Sequence, residues 1–180
     1  MTDIPVQRPP SRFARIGMPE GPGLDRDALE QAFLERSREV HPDRFVGKSA
    51  SEQRKALIAS AQLNEAYTTL KDERLRLEHL LELRGGKRAD QDKRTPQSFL
   101  LEMLETREAL ESAQQAGDEP ALERFREQAT RERRACLDRI AALFGDDELS
   151  ADTLEAIRLQ LNVVKYWESM LQELASAPVA

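Results

Sequence analysis

The sequence predicts an all-α protein: a helical hairpin with short flanking helices, then a three-helix bundle. Three observations carry this. Apolar residues recur at helical spacing through most of the chain, and no stretch alternates apolar and polar as a half-buried strand would. Glycines fall between the periodic segments, and prolines fall between them or in a first helical turn. Of the 180 residues 33% are charged, 39% apolar and only 5% aromatic, which suits amphipathic helices around a lean core.

Taken in order, residues 1–10, with Pro5, Pro9 and Pro10, read as a flexible tail. Phe13 to Ile16 makes one short helical turn, stopped by Gly17 and Pro19. Asp25 is placed to cap a helix running to about Val40, with Ala28, Leu29, Ala32 and Phe33 on one face. Pro42 ends it, because a proline ring pushes the preceding residue out of the helical region. A second long helix is expected from about Ser49 to Leu70, its apolar set being Leu57, Ile58, Ala61, Leu63, Ala66, Tyr67 and Leu70. A shorter one carries Leu75, Leu77, Leu80, Leu81 and Leu83. Gly85-Gly86 stops it, and a polar stretch runs on to Thr95-Pro96, where proline suits a first helical turn. Three further helices span roughly 96–116, 118–144 and 150–176, stopped by Gly117 and Gly145, the last capped by Ser150. The expected organisation is therefore a tail (1–10), a first domain (11–84), a linker (85–95) and a second domain (96–180).

Composition narrows the function. No apolar run reaches the roughly 18 residues of a membrane helix, and no charged-then-apolar leader opens the chain. A net charge of −6 argues against a general nucleic-acid binder. The charge is uneven: residues 1–95 hold 18 Lys/Arg against 16 Asp/Glu, and residues 96–180 hold 9 against 17. With one cysteine, Cys136, and two histidines, His41 and His79, neither a disulfide nor a cysteine-rich zinc site can form. Cys136, among Leu137, Ile140, Leu143 and Phe144, reads as core, and His79 as a packed or surface side chain. No acid–base pair, nucleophile elbow or phosphate loop appears, so no enzyme, cofactor or metal is expected. A cytoplasmic location fits these features.

The feature with the most chemical character is His41-Pro42-Asp43, between two antiparallel amphipathic helices. Proline stiffens the turn and holds an imidazole and a carboxylate outward on a rigid base, where a partner can engage them. A plain helix-terminating turn would use the same residue types. The surroundings favour the first reading. They include Ala32-Phe33-Leu34, Val40-His41-Pro42-Asp43-Arg44-Phe45 and Leu63-Asn64-Glu65-Ala66-Tyr67-Thr68-Thr69-Leu70-Lys71-Asp72, at a spacing that resembles a J-domain over about sixty residues. Phe13-x-x-x-Gly17-x-Pro19, Arg76-Leu77-Glu78-His79-Leu80-Leu81-Glu82-Leu83 and Phe99 to Glu108 then resemble the HscB family, the J-type co-chaperones of iron–sulfur cluster assembly, from Phe13 onward.

The resemblance implies an N-terminal J-domain and a C-terminal three-helix client-binding domain. The J-domain would dock on a DnaK-class chaperone of the HscA type and stimulate its ATPase through His41, Pro42 and Asp43, with Arg36, Arg38 and Arg44 alongside. From Arg26 to Lys48 basic and acidic residues balance at five each, so docking would rest on local placement and not on a broad positive field. The second domain would bind an IscU-type scaffold, which carries the cluster; this chain's single thiol cannot supply four-cysteine ligation. In places the sequence departs from the family pattern: Val40 stands where many J-domains carry an aromatic, Arg36 at a usually apolar position, and Ser112 where the family tends to carry an acid.

Helix geometry bears separately on the second domain. With Phe99 at zero, Met103, Leu110 and Ala113 fall within about 40°, while Leu100, Leu104 and Leu101 fall at about 100°, 140° and 200°. The last helix also has two apolar stripes about 160° apart, one of Leu154, Ile157, Leu161, Val164 and Leu171, the other of Leu159, Val163, Tyr166 and Met170. The second stripes either complete the packing of the bundle or its neighbour, or form partner surface. The resemblance places scaffold contacts at Leu100, Leu101, Leu104, Glu105 and Glu108, and an aromatic contact at Tyr166.

Overall fold

The computed structural model describes residues 9–145 and 148–176; most of the expected tail and the extreme C-terminus lie outside the described residues. Among these are seven α-helices and one 3-10 turn, and no strand. The chain divides into two units between Leu80 and Leu81.

In the first unit, α1 (Arg12–Ile16) begins where the Ser11 hydroxyl accepts from Ala14 N–H. It ends at Gly17, whose φ of 90° is open to glycine at little cost. Its Phe13 and Ile16 are buried. Helix α2 (Arg26–Val40) starts at Asp25, whose carboxylate accepts from the Asp27 and Ala28 amides. His41 is extended ahead of Pro42, so the helix stops and a 3-10 turn (Pro42–Phe45) follows. Helix α3 (Ala50–Lys71) opens on a capping box: the Ser49 hydroxyl accepts from Glu52 N–H, and the Glu52 carboxylate accepts from Ser49 N–H. Helix α4 (Glu73–Leu83) begins where the Asp72 side chain accepts from Leu75 N–H.

Helices α1 and α2 both pack on α3. Phe33 stacks on Tyr67 with ring centroids 4.2 Å apart, and Leu29, Ala56, Leu63, Ala66 and Leu70 are buried. Three residues expected in the α3 apolar set are not in the core: Leu57, Ile58 and Ala61 are exposed, as is Ala28 on α2. The reason is angular. With Ala56 at zero, Leu63, Ala66 and Leu70 cluster near 340°, 280° and 320°, whereas Leu57, Ala61 and Ile58 lie at about 100°, 140° and 200°.

Two polar side chains complete this core. Arg76 is buried; its guanidinium donates to the Leu70 carbonyl at 2.7 Å and the Pro22 carbonyl at 3.0 Å, closing the end of α3. His79 is also buried and stacks on Phe13. Its Nε2 accepts from the backbone N–H of Arg12 at 3.1 Å, and the Arg12 guanidinium lies 3.0 Å from Nδ1. Burial, and then the Arg12 charge, hold the imidazole below its ordinary value against the opposing pull of Glu20 and Glu65. The unfolded imidazole, titrating near 6.5, therefore takes up its proton first. The stability that His79 contributes is complete above about pH 6.5 and falls as pH drops toward the lowered folded value. Urea midpoints should decline as pH falls below about 6.5, and His79→Gln should flatten that decline.

In the second unit, α5 (Gln97–Ala116) turns through Gly117 into α6 (Glu119–Leu143), and α7 (Ala151–Ser176) packs along α6. The core holds Met103, Leu110, Leu122, Ala129, Leu137, Ile140, Ile157, Leu161, Val164, Trp167 and Leu174. Cys136 is buried here, and burial raises its thiol above the ordinary range. The residues read as a linker, 85–95, are pinned to α7. The Asn162 amide donates to the carbonyls of Asp92 and Arg94 at 3.0 and 2.7 Å, and Arg94 bridges Asp92 and Glu155 at 2.6 and 2.7 Å. The Arg94 fork holds the buried Asp92 carboxyl far below the usual carboxylate range.

Gly86 is required at its position. Its N–H donates to the Leu81 carbonyl at 2.8 Å, and a Cβ there would lie 2.2 Å from Cδ1 of the buried Leu81. Gly86→Ala should therefore cost about 1–3 kcal/mol of unfolding free energy, whereas Gly85→Ala, strained only by its φ of 84°, should cost about 1 kcal/mol. Chemical denaturation of both variants checks the order.

Candidate functional site

Two surfaces stand out, one in each unit. In the first, the turn after α2 carries His41-Pro42-Asp43. The side chains of His41 and Asp43 are 53% and 85% exposed, and the imidazole Nδ1 lies 3.5 Å from a carboxylate oxygen of Asp43. The same Nδ1 accepts from the backbone N–H of Asp43 at 3.3 Å, so the ring caps its own turn. The Arg44 guanidinium donates to the Arg38 carbonyl at 3.3 Å, which ties the turn back to the last turn of α2. The structure thus brings the side chains of His41 and Asp43 together and ties Arg44 to the turn through the Arg38 backbone, while the Arg38 side chain lies along α2 with Leu34 and Glu35. Arg36 is engaged elsewhere: it pairs with Glu39 at 3.2 Å, and its guanidinium covers Gly17 at the end of α1. Val46 and, further on, Leu57 and Ile58 are exposed apolar neighbours in sequence that the reading of the turn did not include. The wheel of α3 was the signal that sets the last two outside the core.

In the second unit, α5 sends one apolar stripe inward and leaves the other bare. Met103, Leu110 and Ala113 are buried, and Leu100, Leu101 and Leu104 are 52%, 67% and 64% exposed. Glu105 and Glu108 flank them and are exposed. Exposed leucines in successive turns of one helix, edged by carboxylates, form an apolar ridge with a charged rim, the arrangement expected of a protein contact surface. The second stripe of α7 behaves differently: Val163 and Met170 are buried, so it is largely core. Tyr166 is half-buried within it. Its ring meets Phe99 edge-on at 5.4 Å and Trp167 at 5.7 Å, and its hydroxyl is buried with no hydrogen-bond partner among the described residues. Tyr166 thus props the first turn of α5 from beneath, through Phe99.

Exposure and burial on α5 make opposite demands on stability. Replacing Leu100 and Leu104 together with Ala should change the unfolding free energy by less than about 1 kcal/mol, while Leu110→Ala should cost about 2–5 kcal/mol. Urea denaturation of the two variants checks this.

A helical hairpin displaying His-Pro-Asp at its turn is the architecture of a J-domain, and the fold is that of a J-type co-chaperone with a separate helical bundle. The comparisons with known proteins narrow this. The family model described as the HSCB C-terminal oligomerisation domain matches residues 95–175. The co-chaperone protein HscB homolog of Ralstonia nicotianae is 34% identical over 156 residues, covering 86% of this chain and 89% of its own. That of Aeromonas salmonicida is 33% identical over 168 residues, covering 91% and 94%. The solved structure of chaperone HscB from Vibrio cholerae superposes with a TM-score of 0.76 at 30% identity, covering 92% and 95%. Human co-chaperone protein HscB shares the fold, with a TM-score of 0.80 at 21% identity, covering 97% and 83%. The chain belongs to the HscB family of co-chaperones.

Proposed function

We propose that this co-chaperone couples two partners and performs no bond chemistry of its own. The J-domain docks on a DnaK-class chaperone of the HscA type and stimulates its ATPase. The bundle holds an IscU-type scaffold, so that the client is present when hydrolysis traps it. The work belongs to iron–sulfur cluster assembly, in the cytoplasm. Among the described residues no helix is long and apolar enough to cross a membrane.

The observation that carries this reading is the leucine ridge. Leu100, Leu101 and Leu104 are left uncovered by a helix whose opposite stripe is buried, and the resemblance to the family implies scaffold contacts at these positions. Glu105 and Glu108 would face cationic or donor groups on the scaffold rim, and Tyr166 would contribute mainly by holding Phe99 and the start of α5 in place. On the other unit, the exposure of His41 and Asp43 on a proline-stiffened turn supports chaperone docking, since little ordering is left to be done on binding.

Each surface has its own test. Asp43→Asn should leave the helical content intact and abolish stimulation of the chaperone ATPase; stimulation at the wild-type level would remove the docking reading. Leu100→Ala with Leu104→Ala should weaken binding to purified scaffold by about tenfold or more while stability is held. A different client is the alternative for a J-protein of this build, and the name of the matching family model adds a second copy of the chain as a rival occupant of the ridge. Unchanged scaffold affinity in a calorimetric titration, or loss of self-association in place of scaffold binding, would favour those readings.

A further inference from the structure

The atom that His41 offers to a partner follows from the turn that holds it. Pro42 has no N–H, and the amide of Asp43 comes ahead of the first backbone bond of the 3-10 turn, from Arg44 N–H to the His41 carbonyl at 3.0 Å. The Nδ1 of His41 accepts from that amide. A ring nitrogen that accepts a hydrogen bond carries no proton, and in a neutral imidazole the proton is then on the other nitrogen.

We infer that the turn fixes His41 as the Nε2–H tautomer, so that the surface presented by His41-Pro42-Asp43 is a matched pair: an imidazole N–H donor beside a carboxylate acceptor. One group competes for the Nδ1 role. The Asp43 carboxylate, 3.5 Å from Nδ1, would draw a proton onto that nitrogen if it formed an ion pair there. The backbone amide wins because the turn fixes its direction, while the carboxylate is 85% exposed and free to turn into solvent. A partner that fits this surface places an acceptor oxygen, carbonyl or carboxylate, opposite the ring and a cationic donor opposite Asp43. His41 then has two separable roles: Nδ1 positions the turn, and Nε2–H binds. The binding role rests on the docking reading above; the tautomer does not.

Asparagine and glutamine divide the two roles. The Asn side-chain oxygen sits near the place of Nδ1 and keeps the cap, and the Gln amide reaches toward the place of Nε2 and gives the cap up. Nitrogen-15 long-range correlation spectra of the full chain, recorded above the imidazole titration range, should show a pyridine-type Nδ1 and a pyrrole-type Nε2 for His41. The chain has only two histidines, so the His41→Asn spectrum assigns the signals. A pyrrole-type Nδ1 overturns the inference. His41→Asn should keep the Asp43 amide shift, and His41→Gln should move it; both should stimulate the chaperone ATPase about tenfold less or worse, the loss expected for a missing interfacial hydrogen bond. Wild-type stimulation by His41→Asn overturns the donor role, and wild-type stimulation by His41→Gln overturns the positioning role. Asp43→Asn, assayed alongside, separates this from failure of docking itself. If it stimulates fully, docking is wrong and the spectra alone decide the tautomer. If it is silent while His41→Asn is active, only the donor role falls.

Discussion

A proline ring after His41 is the constraint on which the J-domain is built. Its Cδ clashes with a helical residue before it, so α2 cannot continue, and its missing N–H removes a donor that would otherwise have to be satisfied. The chain therefore turns at once into a short 3-10 segment and returns as α3. Everything needed on that turn follows from the enforced geometry. His41 is extended and free to cap Asp43, the carboxylate is exposed, and Arg44 reaches back to α2. The hairpin closes by the stacking of Phe33 on Tyr67, so the rigidity of the displayed pair is supported from the core below it.

The second unit is governed by a limit on burial. A helix at the side of a small bundle can cover only part of its circumference, yet α5 and α7 each carry two apolar stripes. In α7 both find partners. In α5 the first stripe, with Leu110 at its centre, fills the core, and the second is left as a ridge. That asymmetry separates a structural leucine from one available to a partner. The exposed leucines are also unlike the scattered apolar side chains common on any surface, since they are consecutive in space on one rigid helix.

Polar side chains do a further share of the positioning. Arg76 fastens the end of α3 to the loop at Pro22, and His79 fastens α1 to α4. Asn162, Asp92 and Arg94 clamp residues 85–95 against α7. None of these announces itself in a hydropathy pattern, because a buried charged or amide side chain looks the same in sequence as a solvated one. Arg76 lies in a helical run of leucines and charges, and nothing local distinguishes it from Arg74 two residues earlier. Asn162 stands between Leu161 and Val163 in the middle of an apolar helix. A polar residue in such surroundings needs a buried partner, and that was the one available signal.

Local chemistry decided the helices, their ends and the turn from the sequence alone. Helical periodicity, capping by Ser11, Asp25 and Ser49, and the stereochemistry of Pro42 and Gly117 act over a few residues and need no distant contact. The motif around His41 was legible for the same reason, and so were the two stripes of α5 as angles on a wheel. What the wheel cannot supply is which neighbouring helix lies against which angle. Only the tertiary structure decided that Val163 and Met170 face in, and that Leu100, Leu101 and Leu104 remain uncovered. Burial is a property of what packs against a side chain, and the packing partners are brought from tens of residues away.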